Sequence, residues 1–252
     1  MRIDLNADVG ESFGSWRLGE DDSLIPLVSS VNVACGFHAG DPLTIERTIG
    51  LAAKAGCAIG AHPGYPDLAG FGRRDLSMLP DEIEAAIVYQ VGAVAAFAAA
   101  AGRELRHVKP HGALYNRAAS DPGTAEAIAR AVRRVSRDLI LVGLAGSVML
   151  DAGRAAGLSV AAEAFADRRY EPTGGLRARV YDDAMIDGPA AVGAQAVSLV
   201  RDREVTAVDG TRLSVAAETI CIHGDLPGAA ERAAATRAAL ETAGVEIAPL
   251  RA

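Results

Sequence analysis

Val31-Asn32-Val33-Ala34-Cys35, then Asp41-Pro42 running through Ala55 to Gly56, then Cys57-Ala58-Ile59-Gly60-Ala61 read as one unit of strand, helix and strand. Asp41 is an N-cap residue, and Pro42 occupies the first turn, where proline costs no hydrogen bond. Ile45, Ile49, Ala52 and Ala53 form one apolar stripe, and Gly56 is a helix stop. The flanking runs are apolar almost throughout rather than alternating. That pattern predicts strands covered on both faces, as in a parallel sheet joined by crossover helices.

The same unit repeats in both directions along the chain. Further strands are expected at Ile3 to Asp8, Leu105 to Val108, Leu139 to Gly143, Leu158 to Glu163 and Thr219 to His223, with a short one at Val245 to Ile247. Helices are expected from Pro80 to Ala101, from Pro122 to about Arg134, from Pro189 to Arg201 and from Pro227 to Ala243. Seven or eight such units predict an α/β fold, a distorted (β/α) TIM-like barrel over residues 1 to 252, with an open doubly wound sheet as the alternative. One interruption is visible. Val205 to Val208, Asp209-Gly210 and Arg212 to Val215 read as a small β-hairpin insertion near residues 205–215.

Composition narrows the function classes. The 252 residues are 50% hydrophobic and carry a formal net charge of −7, which argues against nucleic acid as the main partner. A local arginine cluster could still hold an anionic substrate. The start, Met1-Arg2-Ile3-Asp4-Leu5-Asn6, has no apolar signal region, so a cytoplasmic location is expected. Ala85 to Ala101 reads as a buried or half-buried helix, not as a membrane span. Cys35, Cys57 and Cys221 each lie in an apolar run, as reduced core thiols do.

The reactive side chains fall at or just after the strand C-termini. Asn6 and Asp8 end the first strand, His38 follows the second and His62 ends the third. Lys109 and His111 end the fourth, Glu163, Asp167 and Arg168 follow the sixth, and His223 and Asp225 end the seventh. In barrels and parallel sheets this edge carries the active site, because loops there vary while strands hold them rigidly. His107, one place out of phase, reads as structural. Arg73 and Arg74 add two guanidinium groups near the His62 loop, suited to carboxylate or phosphate or else merely solvated. Singly, each of these groups could be a structural hydrogen-bonder or a turn residue; their convergence points to a site.

Several ordered blocks are similar to the signature of the LamB/YcsF family. They are Asp4-Leu5-Asn6-Ala7-Asp8-Val9-Gly10-Glu11-Ser12, Asn32 to Pro42, Gly60-Ala61-His62-Pro63-Gly64-Tyr65-Pro66-Asp67, Val108 to Asn116, Glu163 to Tyr170 and Cys221-Ile222-His223-Gly224-Asp225. The resemblance spans nearly the whole chain. It implies an ATP-dependent 5-oxoprolinase assembly in which this chain, with subunits B and C, opens 5-oxo-L-proline to L-glutamate. It also implies a barrel of the glycoside hydrolase/deacetylase type.

Lactam hydrolysis needs a base for water, an oxyanion stabiliser and an acid for the leaving nitrogen. The expected catalytic set is Asp8, His38, His62, Lys109 and His111, with Lys109 and His111 as oxyanion stabiliser and acid. Substrate contacts are expected from Asn6, Arg73, Arg74, Glu163, Asp167, Arg168, His223 and Asp225. A divalent metal on Asp8, His38 and His62 is an open expectation. ATP is expected to bind mainly on the partner subunits, because Lys54 follows Ala53 and Lys109 follows Val108, so neither lysine belongs to a P-loop. Two rival readings are a metal-dependent carbohydrate deacetylase and a non-catalytic lactam-binding subunit. With aromatics at only 4%, an aromatic sugar platform is poorly supplied.

Overall fold

The computed structural model describes residues 1–251. Its ten strands are β1 (Arg2–Val9), β2 (Ser30–Ala34), β3 (Ala58–His62), β4 (Leu105–Val108), β5 (Ile140–Leu144), β6 (Ser159–Phe165), β7 (Glu204–Thr206), β8 (Arg212–Ser214), β9 (Thr219–Ile222) and β10 (Glu246–Ile247). The helices are α1 (Asp21–Leu24), α2 (Pro42–Ala55), α3 (Pro80–Ala100), α4 (Gly112–Ala118), α5 (Pro122–Val135), α6 (Val148–Ala155), α7 (Pro189–Val197) and α8 (Ala229–Thr242). Strands β1 to β6 pair in sequence order and β9 lies between β6 and β1. All these pairings are parallel, so seven strands close into a barrel and leave no edge. The (β/α) barrel expected from the strand and helix repeat is the fold observed, and the open sheet is excluded by the β1–β9 pairing.

Local chemistry sets the boundaries. The Asp41 side chain accepts hydrogen bonds from the Leu43 and Thr44 amides at the start of α2, and Gly56 ends the helix at φ +76°. Asp121 caps α5 through the Thr124 amide. Helix α3 is long and apolar enough by composition to cross a membrane, but Ile83, Ile87, Val91, Val94 and Ala98 are buried beside β3, β4 and α5. Helix α7 is shorter than expected, because residues 198–202 widen into a π turn before Arg203. The expected hairpin forms as the antiparallel pair β7–β8. The insertion contributes Leu213, Ser214 and Val215 to the wall of the main cavity.

Candidate functional site

The register places Asp8 of β1 directly beside Asn32 of β2, and Asn6 beside Cys221 of β9. Parallel pairing therefore brings groups far apart in sequence to one level inside the barrel. At that level sits the Lys109 ammonium, on a side chain only 2% exposed. Its Nζ lies 2.9 Å from Asp8 Oδ1 and 2.9 Å from Glu163 Oε1, and donates to Cys221 Sγ at 3.0 Å. The Phe165 ring lies under it, 5.2 Å away. Burial lowers the pKa of this amine, but Asp8 and the other acidic neighbours outweigh that and hold it well above the usual lysine value. Burial likewise pushes the Asp8 carboxyl up, while His62 and Lys109 pull it well below the carboxylate range.

A frame of neutral donors fixes this pair. Asn6 Nδ2 donates to Glu163 Oε1 at 3.0 Å, and Tyr115 Oη donates to Glu163 Oε2 at 2.8 Å. Asn32 Nδ2 donates to Asp8 Oδ1 at 2.9 Å, and its own Oδ1 meets His107 Nε2 at 2.8 Å. His107 is thus structural, as its phase on β4 implied; Gly60 opposite it is obligatory, since a Cβ there would lie 2.1 Å from the ring. Asn6 and Glu163, expected to touch substrate, lie below the cavity floor instead, because Lys109 requires them as partners. Asn32 and Tyr115 had no individual role in the sequence reading. Their signal was position, since Asn32 opens the block that ends at Pro42 and Tyr115 lies in the block from Val108 to Asn116.

Above Lys109 lies a layer of three histidines. His62 Nδ1 is 2.7 Å from the Lys109 carbonyl, and His111 Nε2 is 2.8 Å from the Phe71 carbonyl. A carbonyl only accepts, so each of those nitrogens carries a proton, and the other two ring nitrogens, His62 Nε2 and His111 Nδ1, meet at 3.1 Å. His62 Nε2 also faces Asp8 Oδ2 at 3.4 Å. The His38 ring stacks on His111 at 3.7 Å between centroids. Burial drives the pKa of both His38 and His111 well below the ordinary imidazole value. Gly72, at φ +63°, lets its loop lie against these side chains: a Cβ would come within 2.8 Å of the His111 ring and of the His38 Cβ.

Glu11 joins this layer, and the sequence reading gave it no role. Its Oε1 lies 3.6 Å from His38 Nε2 and 3.5 Å from His111 Nδ1. Burial, with Asp225 and Asp8 nearby, raises its pKa well above the usual range. The trio expected for a metal, Asp8, His38 and His62, is not the set that converges. Asp8 is committed to Lys109, and Glu11, His38 and His111 are the ligand atoms within 4.8 Å of one another.

The cavity above has a volume of about 1020 Å³ and is lined by Asp8, His62, Lys109, His111, Arg168 and His223, among others. On its rim, Arg73 Nη2 pairs with Asp225 at 2.6 Å and Arg179 Nη1 reaches the same oxygen at 3.4 Å. Arg168 donates to the Arg177 carbonyl, and burial lowers its pKa to about 10. Gln195 of α7 pins the loop after β6 by donating to the Phe165, Ala166 and Arg168 carbonyls. Asp167 accepts from the His223 amide at 2.9 Å and from its Nδ1 at 3.0 Å, so it orients that imidazole rather than facing the cavity. Burial opposes ionisation of Asp167, yet His223 draws its pKa down to about 2. Arg74 departs from expectation. It turns outward onto the buried Asp67, closing the turn, and its side chain is 64% exposed away from the cavity. Arg179, unremarked in the sequence, takes the place expected for it.

A buried acid with a charged lysine and facing imidazoles can accept a proton from water, hold negative charge on a substrate oxygen and return a proton. The arginine rim can bind an anion. The model of the LamB/YcsF family matches residues 3–252. A protein of Chloroflexus aggregans, named as the A subunit of 5-oxoprolinase, is 57% identical over 98% of both chains. Another of that name, from Methylococcus capsulatus, is 55% identical over 98% of this chain and 95% of its own. The crystal structure of a lactam utilization protein from Thermus thermophilus superimposes with a TM-score of 0.94 at 48% identity, covering 99% of this chain and all of that one. A putative cellobiose-phosphate cleavage protein of Enterococcus faecalis, at 14% identity and TM-score 0.58, shares the fold alone.

Proposed function

Since the chain belongs to the LamB/YcsF family, we propose that it is the A subunit of an ATP-dependent 5-oxoprolinase, which hydrolyses 5-oxo-L-proline to L-glutamate together with subunits B and C. The observation that carries the reading is the Asp8–Lys109 pair, at 2.9 Å, beneath His62 and His111 on the floor of an arginine-rimmed cavity. In this reading Arg73, Arg168 and Arg179 receive the substrate carboxylate or a phosphorylated form of the lactam. Asp8 and His62 draw the proton from water, Lys109 holds the developing oxyanion, and His62 returns the proton to the departing nitrogen, because the proton of His111, expected to serve as the acid, is held by the Phe71 carbonyl.

ATP enters the proposal through the assembly. The lactam is a resonance-stabilised amide, and in a five-membered ring the freed amine stays tethered beside the carboxyl, favouring reclosure. Ring opening therefore needs coupling to a downhill step. Neither lysine of this chain stands in a Gly-Lys-Ser/Thr sequence, so the nucleotide is assigned mainly to the partners. A cytoplasmic location, with neither nucleic acid nor membrane as partner, completes the proposal. The test is glutamate formation from 5-oxoproline and ATP by the purified chain, by the partners, and by the two combined. Turnover only in the combination supports the reading; robust glutamate formation by this chain without ATP or partners would overturn it.

A further inference from the structure

Among the described residues, the buried carboxylates of this barrel have answering groups, with one exception. Asp8 and Glu163 face Lys109, Asp67 faces Arg74, Asp167 faces His223, and Asp4 accepts from Ser29, Ser30 and Thr219. Glu11 has no lysine or arginine nitrogen within 4.0 Å, and its Oε1 has no hydrogen-bond partner within the chain. His38, fully buried, has no partner on either ring nitrogen. Unpaired buried polar groups cost free energy, and an uncompensated buried charge costs more. Both belong to one cluster.

From this cluster we infer that Glu11, His38 and His111 form a binding site for a transition-metal dication of the zinc class, with His62 adjacent. The donor set of two imidazoles and a carboxylate suits such an ion better than magnesium or calcium, which take oxygen ligands. Donors about 2.1 Å from a tetrahedral zinc lie roughly 3.4 Å apart; Glu11 Oε1 lies 3.6 Å from His38 Nε2 and 3.5 Å from His111 Nδ1. A metal-bound histidine nearly always donates its other N–H to a carbonyl or carboxylate. His111 does so, to the Phe71 carbonyl, which leaves Nδ1 as the ligand atom. The His38 and His111 rings are parallel to within 1°, so ligation by both turns one ring about its Cβ–Cγ bond.

The test uses the full chain, stripped with a chelator and titrated with zinc by calorimetry, with magnesium as control. One zinc per chain is expected, with a rise in melting temperature and movement of the His38 and His111 ring-nitrogen NMR signals. Glu11→Gln keeps the side-chain shape and should weaken zinc binding by more than the ~10–100-fold that outer-shell changes cost. His38→Gln serves as the second variant should Glu11→Gln fold poorly. Failure to bind zinc stoichiometrically overturns the inference. So does binding indifferent to both substitutions. A third overturning result is an imidazolium shared by His62 and His111 at neutral pH in a chain that takes up no zinc.

Discussion

Lys109→Met removes the one cation that answers two buried carboxylates, each 2.9 Å from its Nζ. Methionine keeps most of the volume, so the penalty is electrostatic. Glu163 retains the Tyr115 hydroxyl and the Asn6 amide, and Asp8 retains Asn32. The loss is therefore set near that of one uncompensated buried charge, about 3–5 kcal/mol, a large share of the ~5–15 kcal/mol by which domains are stable. Urea unfolding at pH 8 measures it. At pH 5 the loss should shrink, because a carboxyl freed of Lys109 can take up a proton, and each unit of pKa shift is worth about 1.4 kcal/mol. Adding Glu163→Gln removes one of the stranded charges, so the double variant should be more stable than Lys109→Met alone by at least about 1 kcal/mol, a coupling expected of groups in contact. A loss below about 1 kcal/mol at both pH values, with no rescue by Glu163→Gln, would refute the pairing argument. In the assembled enzyme Lys109→Arg should also lose turnover, since the bulkier planar guanidinium does not fit among Asp8, Glu163, Cys221 and Phe165.

Burial lowers the pKa of His107 to about 3 and lowers that of His223 as well. The unfolded chain then binds more protons than the folded one below the free value of 6.5, so stability should fall from about pH 6.5 downward by up to roughly 1.4 kcal/mol per pH unit for each; a flat urea midpoint between pH 7.5 and 5 would contradict this. Asp167, lowered to about 2, adds a loss only below its unfolded value of 3.8. Arg179→Ala should raise KM for the anionic substrate more than it lowers kcat, whereas Arg74→Ala should leave both unchanged, in parallel steady-state assays. Cys35→Ala should lower the melting temperature without loss of turnover, because the thiol is buried and its hydrogen-bonding neighbours are backbone groups, the Val33 carbonyl among them; a folded variant losing several orders of magnitude of turnover would show otherwise.

The alternation of apolar runs with capped helices carried the barrel, because hydrophobic period, Asp-Pro starts and glycine stops are local properties of the chain. Strand β4 falls at Leu105–Val108 as read, and other strand boundaries shift by one or two residues, because pairing partners rather than apolar character decide where a strand stops. The strand-end positions of Asp8, His62, Lys109 and His111 were equally legible, since parallel strands deliver their C-termini to one face. Partnership was not. Asp8 meets Lys109 across 101 residues, and only register decides that Glu163 and Asn6 serve the lysine instead of a substrate. Arg73 and Arg74 are neighbours of one type, yet the turn closed on Asp67 sends one to the rim and the other outward. Nothing in the sequence set Glu11 apart from the rest of its block; it became distinct once folding had buried it against His38 and His111 with no lysine or arginine nitrogen within 4.0 Å. Local sequence sets which groups reach the mouth of the barrel, and closure of the sheet sets which of them touch, because contacts between strands depend on pairing that no single segment encodes.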